Sequence, residues 1–360
     1  MTVLVHLGHP AHFHLFKHAV EAWRAGGDRV EVVIKSKDVL ERLLDERGWA
    51  YHNVQAGPRA TARLGQAATL LRRTAAVWRI ARRVRPDVMI GTSAEIAFVG
   101  RLLGVPSVVT NEDDWDVVPL FARLAYPAAT LIAAPSCCRQ GRWRGKTAAY
   151  ESYHELAYLH PDRFTPDPAV ARALAPDGRP YALLRFARLD AHHDDGRAGI
   201  GAGVAARLVE RIAPHARVYI TSERELEPEF EPLRLQIPAG EVHSALAGAA
   251  LYVGDSQTMA AEAAVLGTPA LRFNDFVGEI SYLEELEHRY GLTRGIRSSE
   301  PDALLDAVGD WLAQPDLAAE WQRRRQAMLR DKDDLTTLLV QLARDVAHGA
   351  DLAAPRAAPA

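Results

Sequence analysis

The stretch LYVGDSQTMAAEAAVLGTPALRF, Leu251 to Phe273, has the residue types and spacing of an anion site. An apolar run ends in Gly254-Asp255-Ser256, and Gln257-Thr258 then opens a helix. The first backbone N–H groups of a helix have no partner inside it and lie at the positive end of its dipole, so this turn is a cradle for a phosphate. Asp255 and Ser256 also suit an ordinary N-cap. Glu262 lies four residues beyond Thr258 on the same helix face, where a carboxylate can accept both hydroxyls of a ribose. Gly267, Thr268 and Pro269 turn the chain into the next strand.

Histidines mark a second place. GHPAHFHLFKH, Gly8 to His18, follows the apolar run VLVHL. Gly8 permits a tight turn, Pro10 fixes φ at a helix entrance, and His9 stands at the junction. An imidazole near its ordinary pKa takes a hydroxyl proton at neutral pH, which makes His9 the first candidate for a general base and His12 the second. Each also fits a capping or packing role. His14 and His18 share a helix face without a third metal ligand in view, so they read as solvated or core residues. On the C-terminal side, Arg185 and Arg188 in YALLRFARLD can clamp a diphosphate; strand alternation lets one of the two point to the ligand.

The elements that must hold these residues are legible as a rhythm. The 360 residues, 48% hydrophobic and 25% charged, suffice for two α/β domains of about 150 residues each. Runs such as VLVHL, RVEVVIKS, PDVMIGTS and VPSVVTNE alternate with helical stretches, which predicts a parallel sheet covered on both faces. A second set, YALLRFARL, ARVYITSE, ALYVGDSQ and TPALRFND, predicts another. We expect one domain over 1–150, a connection over 151–178, a second domain over 179–348 and a disordered tail over 349–360. Ligands collect at strand C-terminal ends, so both sheets are expected to present those ends to an interdomain cleft.

Composition excludes other classes. The net charge of −3 gathers no nucleic acid. Cys137 and Cys138 are adjacent, which rules out a disulfide framework and suits a reducing compartment. With neither a signal peptide nor a spanning segment in view, the expectation is cytoplasmic. GIGAGVA lacks the final spacing of a dinucleotide fingerprint, which excludes a nicotinamide enzyme.

At GDSQT, Glu262 and LGTP the sequence resembles the GT-B superfamily of nucleotide-sugar glycosyltransferases and non-hydrolysing 2-epimerases. There a strand, a D-S-G-G-like turn, a helix with Glu and L-G-x-P form the diphosphate and ribose site. Gln257 and Thr258 replace the usual glycine pair. From GHPAHFHLFK through GTSAE and VTNEDD, the chain looks most like the uncharacterised DUF 354 family of that superfamily. The resemblance implies two Rossmann-like domains and a nucleoside diphosphate sugar bound by Gly8, Asn111, Arg185, Arg188, Asp255, Ser256, Gln257, Thr258 and Glu262. It sets His9 beside the sugar or the acceptor. By likeness to the 2-epimerases, Glu95, Glu112 and Asp113 occupy the places of proton-handling acids. Asp113 or Asp114 fits equally a cap for a helix starting near Val117. Asp114-Trp115-Asp116 spells the D-x-D of metal-dependent transferases of another architecture, and no obligatory metal or other cofactor is expected.

The expected reaction is glycosyl transfer to an unidentified saccharide or lipid-linked acceptor, with 2-epimerisation or hydrolysis, or non-catalytic nucleotide-sugar binding, as alternatives. Arg63 to Arg85 forms a basic amphipathic helix with Leu64, Leu71, Ala75 and Trp78 on one stripe, read either as a surface helix or as a peripheral contact with anionic lipid.

Overall fold

The computed structural model describes residues 1–36, 39–55, 63–187 and 199–349, which divide into two compact units. The first holds Met1–Tyr158 with the stretch from Asp333 onward, and the second holds Leu159–Lys332.

Seven strands form the first unit's sheet: β1 Thr2–Leu7, β2 Arg29–Ile34, β3 Tyr51–Asn53, β4 Val88–Gly91, β5 Ser107–Thr110, β6 Leu131–Pro135 and β7 Thr147–Tyr150. Their order is β3-β2-β1-β4-β5-β6-β7 and every pair is parallel. Val5 of β1 sits opposite Val32 on one side and Ile90 on the other. Val3 to Leu7 are all buried, as a strand covered on both faces requires. Helix Pro10–Ala25 starts with proline at its first position, where no N–H is needed, and buries Phe13, Phe16, Val20 and Trp23. Strand order reverses between β1 and β4, so their connections leave in opposite directions and open a crevice at their C-terminal ends.

The boundaries differ from those expected. TAAY, the last residues of the expected first domain, is a seventh strand on β6; the first unit runs on to Tyr158, and helix Leu335–Ala347, expected in the second domain, belongs with the first unit. The Trp23 indole donates to Val340 O at 3.4 Å, Ser152 Oγ to Asp333 O at 2.7 Å and Thr336 Oγ1 to Ala157 O at 2.7 Å. Trp23 is wholly buried, so truncating it to alanine costs about 3–5 kcal/mol by the usual cavity rule. The expected tail falls, from residue 350, outside the described residues.

Helix Arg63–Val84 also differs. Its core face is Val77, Ala81 and Val84, packed on Leu4, Val33, Met89, Ile96 and Val99. Of the expected apolar stripe, Leu71 and Ala75 are exposed while Trp78 packs against this core; the side chain of Leu64 lies outside the described residues.

The second unit's strands are β8 Tyr181–Phe186, β9 Arg217–Ser222, β10 Leu251–Gly254, β11 Ala270–Phe273 and β12 Thr293–Ile296, all parallel in the order β12-β11-β10-β8-β9. Here the order reverses between β8 and β10, which carry Arg185 and the Gly254-Asp255-Ser256 turn. Helix Gln257–Leu266 is buried from Met259 to Leu266, and Glu262 is the one charged side chain in that run. It ends at Gly267 with φ +76°, where a Cβ would also press within 2.5 Å of Gln322 Nε2. The glycine of LGTP therefore serves the left-handed C-cap, and a larger residue would also have to displace the Gln322 side chain.

Candidate functional site

In the first unit the loop after β1 is held by its own histidines. His9 is the N-cap of Pro10–Ala25, with extended φ −157° and ψ 152°, and its Nδ1 accepts the Ala11 N–H at 3.1 Å. His12 Nδ1 accepts the Gly8 N–H at 3.1 Å. A ring nitrogen that accepts a backbone N–H carries no proton, so each neutral ring keeps its proton on Nε2 and is a donor there. Burial first, then His9, Lys35, His154 and His6, push the His12 pKa well below its ordinary value. Lys35 follows β2 and lies against the loop: a Cβ on Gly8 would meet Lys35 Cε at 2.6 Å. Close approach, not a left-handed φ, is what glycine permits here.

Glu95 opens helix Ala94–Leu103 beyond β4 and is 3% exposed. Arg73 Nε donates to its Oε1 at 2.6 Å, and Arg73 Nη1 donates to Gln55 Oε1 at 2.8 Å. Burial works to raise the Glu95 pKa, but His6, Arg73 and Lys35 outweigh it and hold the carboxyl below the usual range. His6 itself is fully buried, and burial lowers its pKa to about 4.

Beyond β5, Asn111 donates to Asp113 O at 2.7 Å and to Tyr126 Oη at 2.9 Å, so its amide shapes this turn from within. Glu112 reaches the segment after β7, where its Oε1 is 3.3 Å from His154 Nδ1 and its Oε2 accepts the His154 N–H at 3.3 Å. Asp113 is half-buried in the same turn. Neither it nor Asp114 caps the next helix, Pro119–Ala125, through its side chain. The buried Asp114 carboxylate accepts the Arg139 N–H at 2.5 Å, and the Arg139 guanidinium lies 3.4 Å from Asp114 and 3.2 Å from Asp116. The D-x-D is thus taken up by an arginine. No group of three metal-ligating side chains occurs among the described residues.

In the second unit the turn after β10 keeps the expected form with one change. Ser256 is the N-cap and its Oγ accepts the Met259 N–H at 3.4 Å. The Gln257 and Thr258 amides, next at the helix start, have no partner among the described residues. Asp255 turns inward instead: Oδ1 accepts the Ala187 N–H at 2.6 Å and Oδ2 the Ile200 N–H at 3.0 Å. Its carboxylate therefore staples this unit's own backbone and is not offered to a ligand. Burial pushes its pKa up to about 6. Arg185 aligns with Gly254 across the β8–β10 pair and bonds Glu223. A Cβ on Gly254 would stand 2.9 Å from Arg185 Cβ, so the guanidinium root lies beside the turn. Arg188 lies outside the described residues. Glu262 is buried one turn into the helix with Oε1 3.0 Å from His243 Nε2.

Sequence reasoning missed Lys35, Arg73, His154 and His243. Lys35 and His154 each follow a strand end, the one signal that could have marked them; Arg73 and His243 sit on helices and were not singled out.

No family model matches the chain. Among curated proteins it is 24% identical over 319 residues, 83% of this chain and 81% of the relative, to a UDP-N-acetylglucosamine–N-acetylmuramyl-(pentapeptide) pyrophosphoryl-undecaprenol N-acetylglucosamine transferase of Paracidovorax citrulli. Among solved structures it is similar to the UDP-GlcNAc 2-epimerase of Neisseria meningitidis bound to UDP-GlcNAc, with TM-score 0.68, 12% identity, and 95% of this chain and 99% of that one covered. It is also similar to glycosyltransferase VinC in complex with DTDP, with TM-score 0.63, 16% identity, and 97% of this chain and 100% of that one covered. The chain has an α/β GT-B fold.

Proposed function

We propose that this chain is a glycosyltransferase that moves a sugar from a nucleoside diphosphate sugar to an acceptor hydroxyl. The observation that carries the reading is the turn after β10, where the Gln257 and Thr258 amides stand open at a helix N-terminus with Arg185 beside them. A diphosphate leaving group gathers negative charge as the glycosidic bond breaks, and oriented amides with a guanidinium stabilise that charge. Glu223 now shares Arg185, so a bound diphosphate competes for the guanidinium. Glu262, oriented by His243, accepts from the ribose. In the first unit the Nε2–H groups of His9 and His12 are hydrogen-bond donors of the kind that hydroxyl oxygens take.

The curated relative is named for a pyrophosphoryl-undecaprenol acceptor, which is lipid-linked, and exposed side chains of the first unit suit that class. Leu71, Leu102 and Leu120 are 71%, 71% and 66% exposed, with Arg72, Arg79, Arg82 and Arg83 exposed nearby in sequence to Leu71. Apolar side chains among arginines rest on anionic lipid without crossing it. No helix among the described residues is long and apolar enough to cross a membrane. Placement beside the DUF 354 proteins rests on the motifs alone.

A second reading, 2-epimerisation, is favoured by Glu95 and Glu112 at two strand ends of one sheet. Incubation with UDP-N-acetylglucosamine in heavy water, with and without acceptors, separates the two. Transfer releases UDP only when an acceptor is present and leaves the sugar C2 proton in place. Deuterium at C2 without an acceptor would establish the epimerase, and tight binding with neither event a non-catalytic binder.

A further inference from the structure

The loops after β5 and β7 meet over the end of β6. Cys138, just past β6, donates its thiol to Glu112 O at 2.8 Å, and the Ser136 N–H donates to Tyr150 O at 2.9 Å. Both loops are thereby tied to the strand that separates them. Glu112 then holds His154 at two points, the ring at Nδ1 and the backbone at N, each at 3.3 Å.

A carboxylate facing Nδ1 makes that nitrogen the protonated one and leaves the lone pair on Nε2. His154 Nε2 is shielded from solvent and has no hydrogen-bond partner among the described residues. His9 and His12 are the reverse case, since their Nδ1 atoms accept backbone N–H groups and the proton sits on Nε2. The His9 and His12 rings stand 6.0 Å apart, and the charge of His154 bears on His12. Of the three, His154 is the one whose outer nitrogen is an acceptor.

We propose that Nε2 of His154, oriented by Glu112, takes the proton of the acceptor hydroxyl; this rests on the transferase reading. In that step the acceptor O–H bond breaks and the proton passes to Nε2. The oxygen's electron pair forms the bond to sugar C1, and the bond from C1 to the diphosphate oxygen breaks, its electron pair leaving with the diphosphate. The new imidazolium faces the Glu112 carboxylate, which offsets its charge. Burial, working against Glu155 and Asp113, lowers the ring's pKa to about 4, so it is neutral at pH 7 and Nε2 keeps its lone pair.

The test uses the full-length protein, UDP-N-acetylglucosamine and two acceptors of different acidity, an octyl glycoside and 4-nitrophenol, read by UDP release. A base matters most for the alcohol and least for the phenol, whose proton is already loose at neutral pH. His154→Gln should lower transfer to the glycoside about 10²-fold or more and transfer to the phenol far less, with UDP affinity unchanged. Glu112→Gln should lose less, and the double variant should be no slower than His154→Gln alone, because Glu112 acts through the histidine. Equal losses with both acceptors would mark His154 as structural and overturn the proposal. An unimpaired His154→Gln beside an inactive His9→Gln would assign the base to His9. If the wild-type protein releases no UDP across a panel of nucleotide sugars and acceptors, the transferase reading falls and this inference with it. Wild-type turnover that survives His154→Gln sinks the inference alone.

Discussion

His243 Nε2 lies 3.0 Å from Glu262 Oε1, and both residues are buried. The histidine fixes one oxygen of the carboxylate that the nucleotide reading assigns to the ribose. Hydrogen bonds to a charged group are worth about 1.5–3 kcal/mol, so Glu262→Ala should weaken UDP binding by about 10- to 100-fold in calorimetric titration. The loss should shrink against 2′-deoxyuridine diphosphate, which lacks one of the hydroxyls. Equal affinity in wild type and variant removes Glu262 from the ribose.

Asp255 predicts an unusual pH dependence. Its folded-state pKa is about 6 against an ordinary 3.8, because burial outweighs the two backbone N–H groups it accepts. The folded state therefore keeps this proton to higher pH than the unfolded state, and the group's contribution to stability falls as pH rises from about 4 to about 6, then stays level. The difference in urea midpoint between the wild-type protein and Asp255→Asn, followed from pH 4 to 8, should trace that fall. A flat difference would mean that the carboxyl titrates normally.

Arginines on helix Arg63–Val84 should separate into two kinds. Arg73 pairs with the buried Glu95, and removing one partner of a buried pair costs about 3–5 kcal/mol, so Arg73→Met should lower the melting temperature sharply. Substituting the exposed Arg79 and Arg83 with glutamate should leave the melting temperature within a degree or two, as exposed charges contribute within about 0.5 kcal/mol. The same pair of substitutions should abolish cosedimentation with phosphatidylglycerol vesicles at low salt, if this face meets lipid. Undiminished sedimentation would rule that contact out.

Transfer should survive chelator. Asp114 and Asp116 are held by Arg139, and Asp114 also accepts that residue's backbone N–H. Loss of activity in EDTA with recovery in magnesium or manganese would return the D-x-D to the reaction.

The parallel sheets were legible because strands buried on both faces read as unbroken apolar runs between helical stretches, as VLVHL and ALYVG do. The helix at Gln257 was legible for a different reason: a glycine, two cap-forming residues and an alanine-rich run leave little else for the chain to do. What stayed hidden was direction. Nothing local says that Asp255 turns back to Ala187 and Ile200 while Ser256 takes the cap, since both suit that place. His154 was hidden by its surroundings. ESYHELAY, which follows the four-residue β7, has neither a long apolar run nor a clean period, and so it read as a connection. Its pairing with Glu112 spans 42 residues and depends on two loops crossing the end of one strand.

Helix Leu335–Ala347 has a consequence for how the chain is made. The first unit is discontinuous: Trp23 waits for Val340, 317 residues later, and Ala157 for Thr336, 179 residues later. The second unit is one uninterrupted stretch, Leu159–Lys332. During synthesis from the N-terminus, the second unit has its whole sequence as soon as Lys332 emerges, while the sheet begun first still lacks the helix that covers Trp23. Folding the intervening stretch brings the two halves of the first unit nearer and lowers the loop-closure entropy of joining them. The segment translated first is thus completed last, and a nascent chain that has emerged as far as Lys332 but not to Leu335 would carry a finished second unit and an open first one.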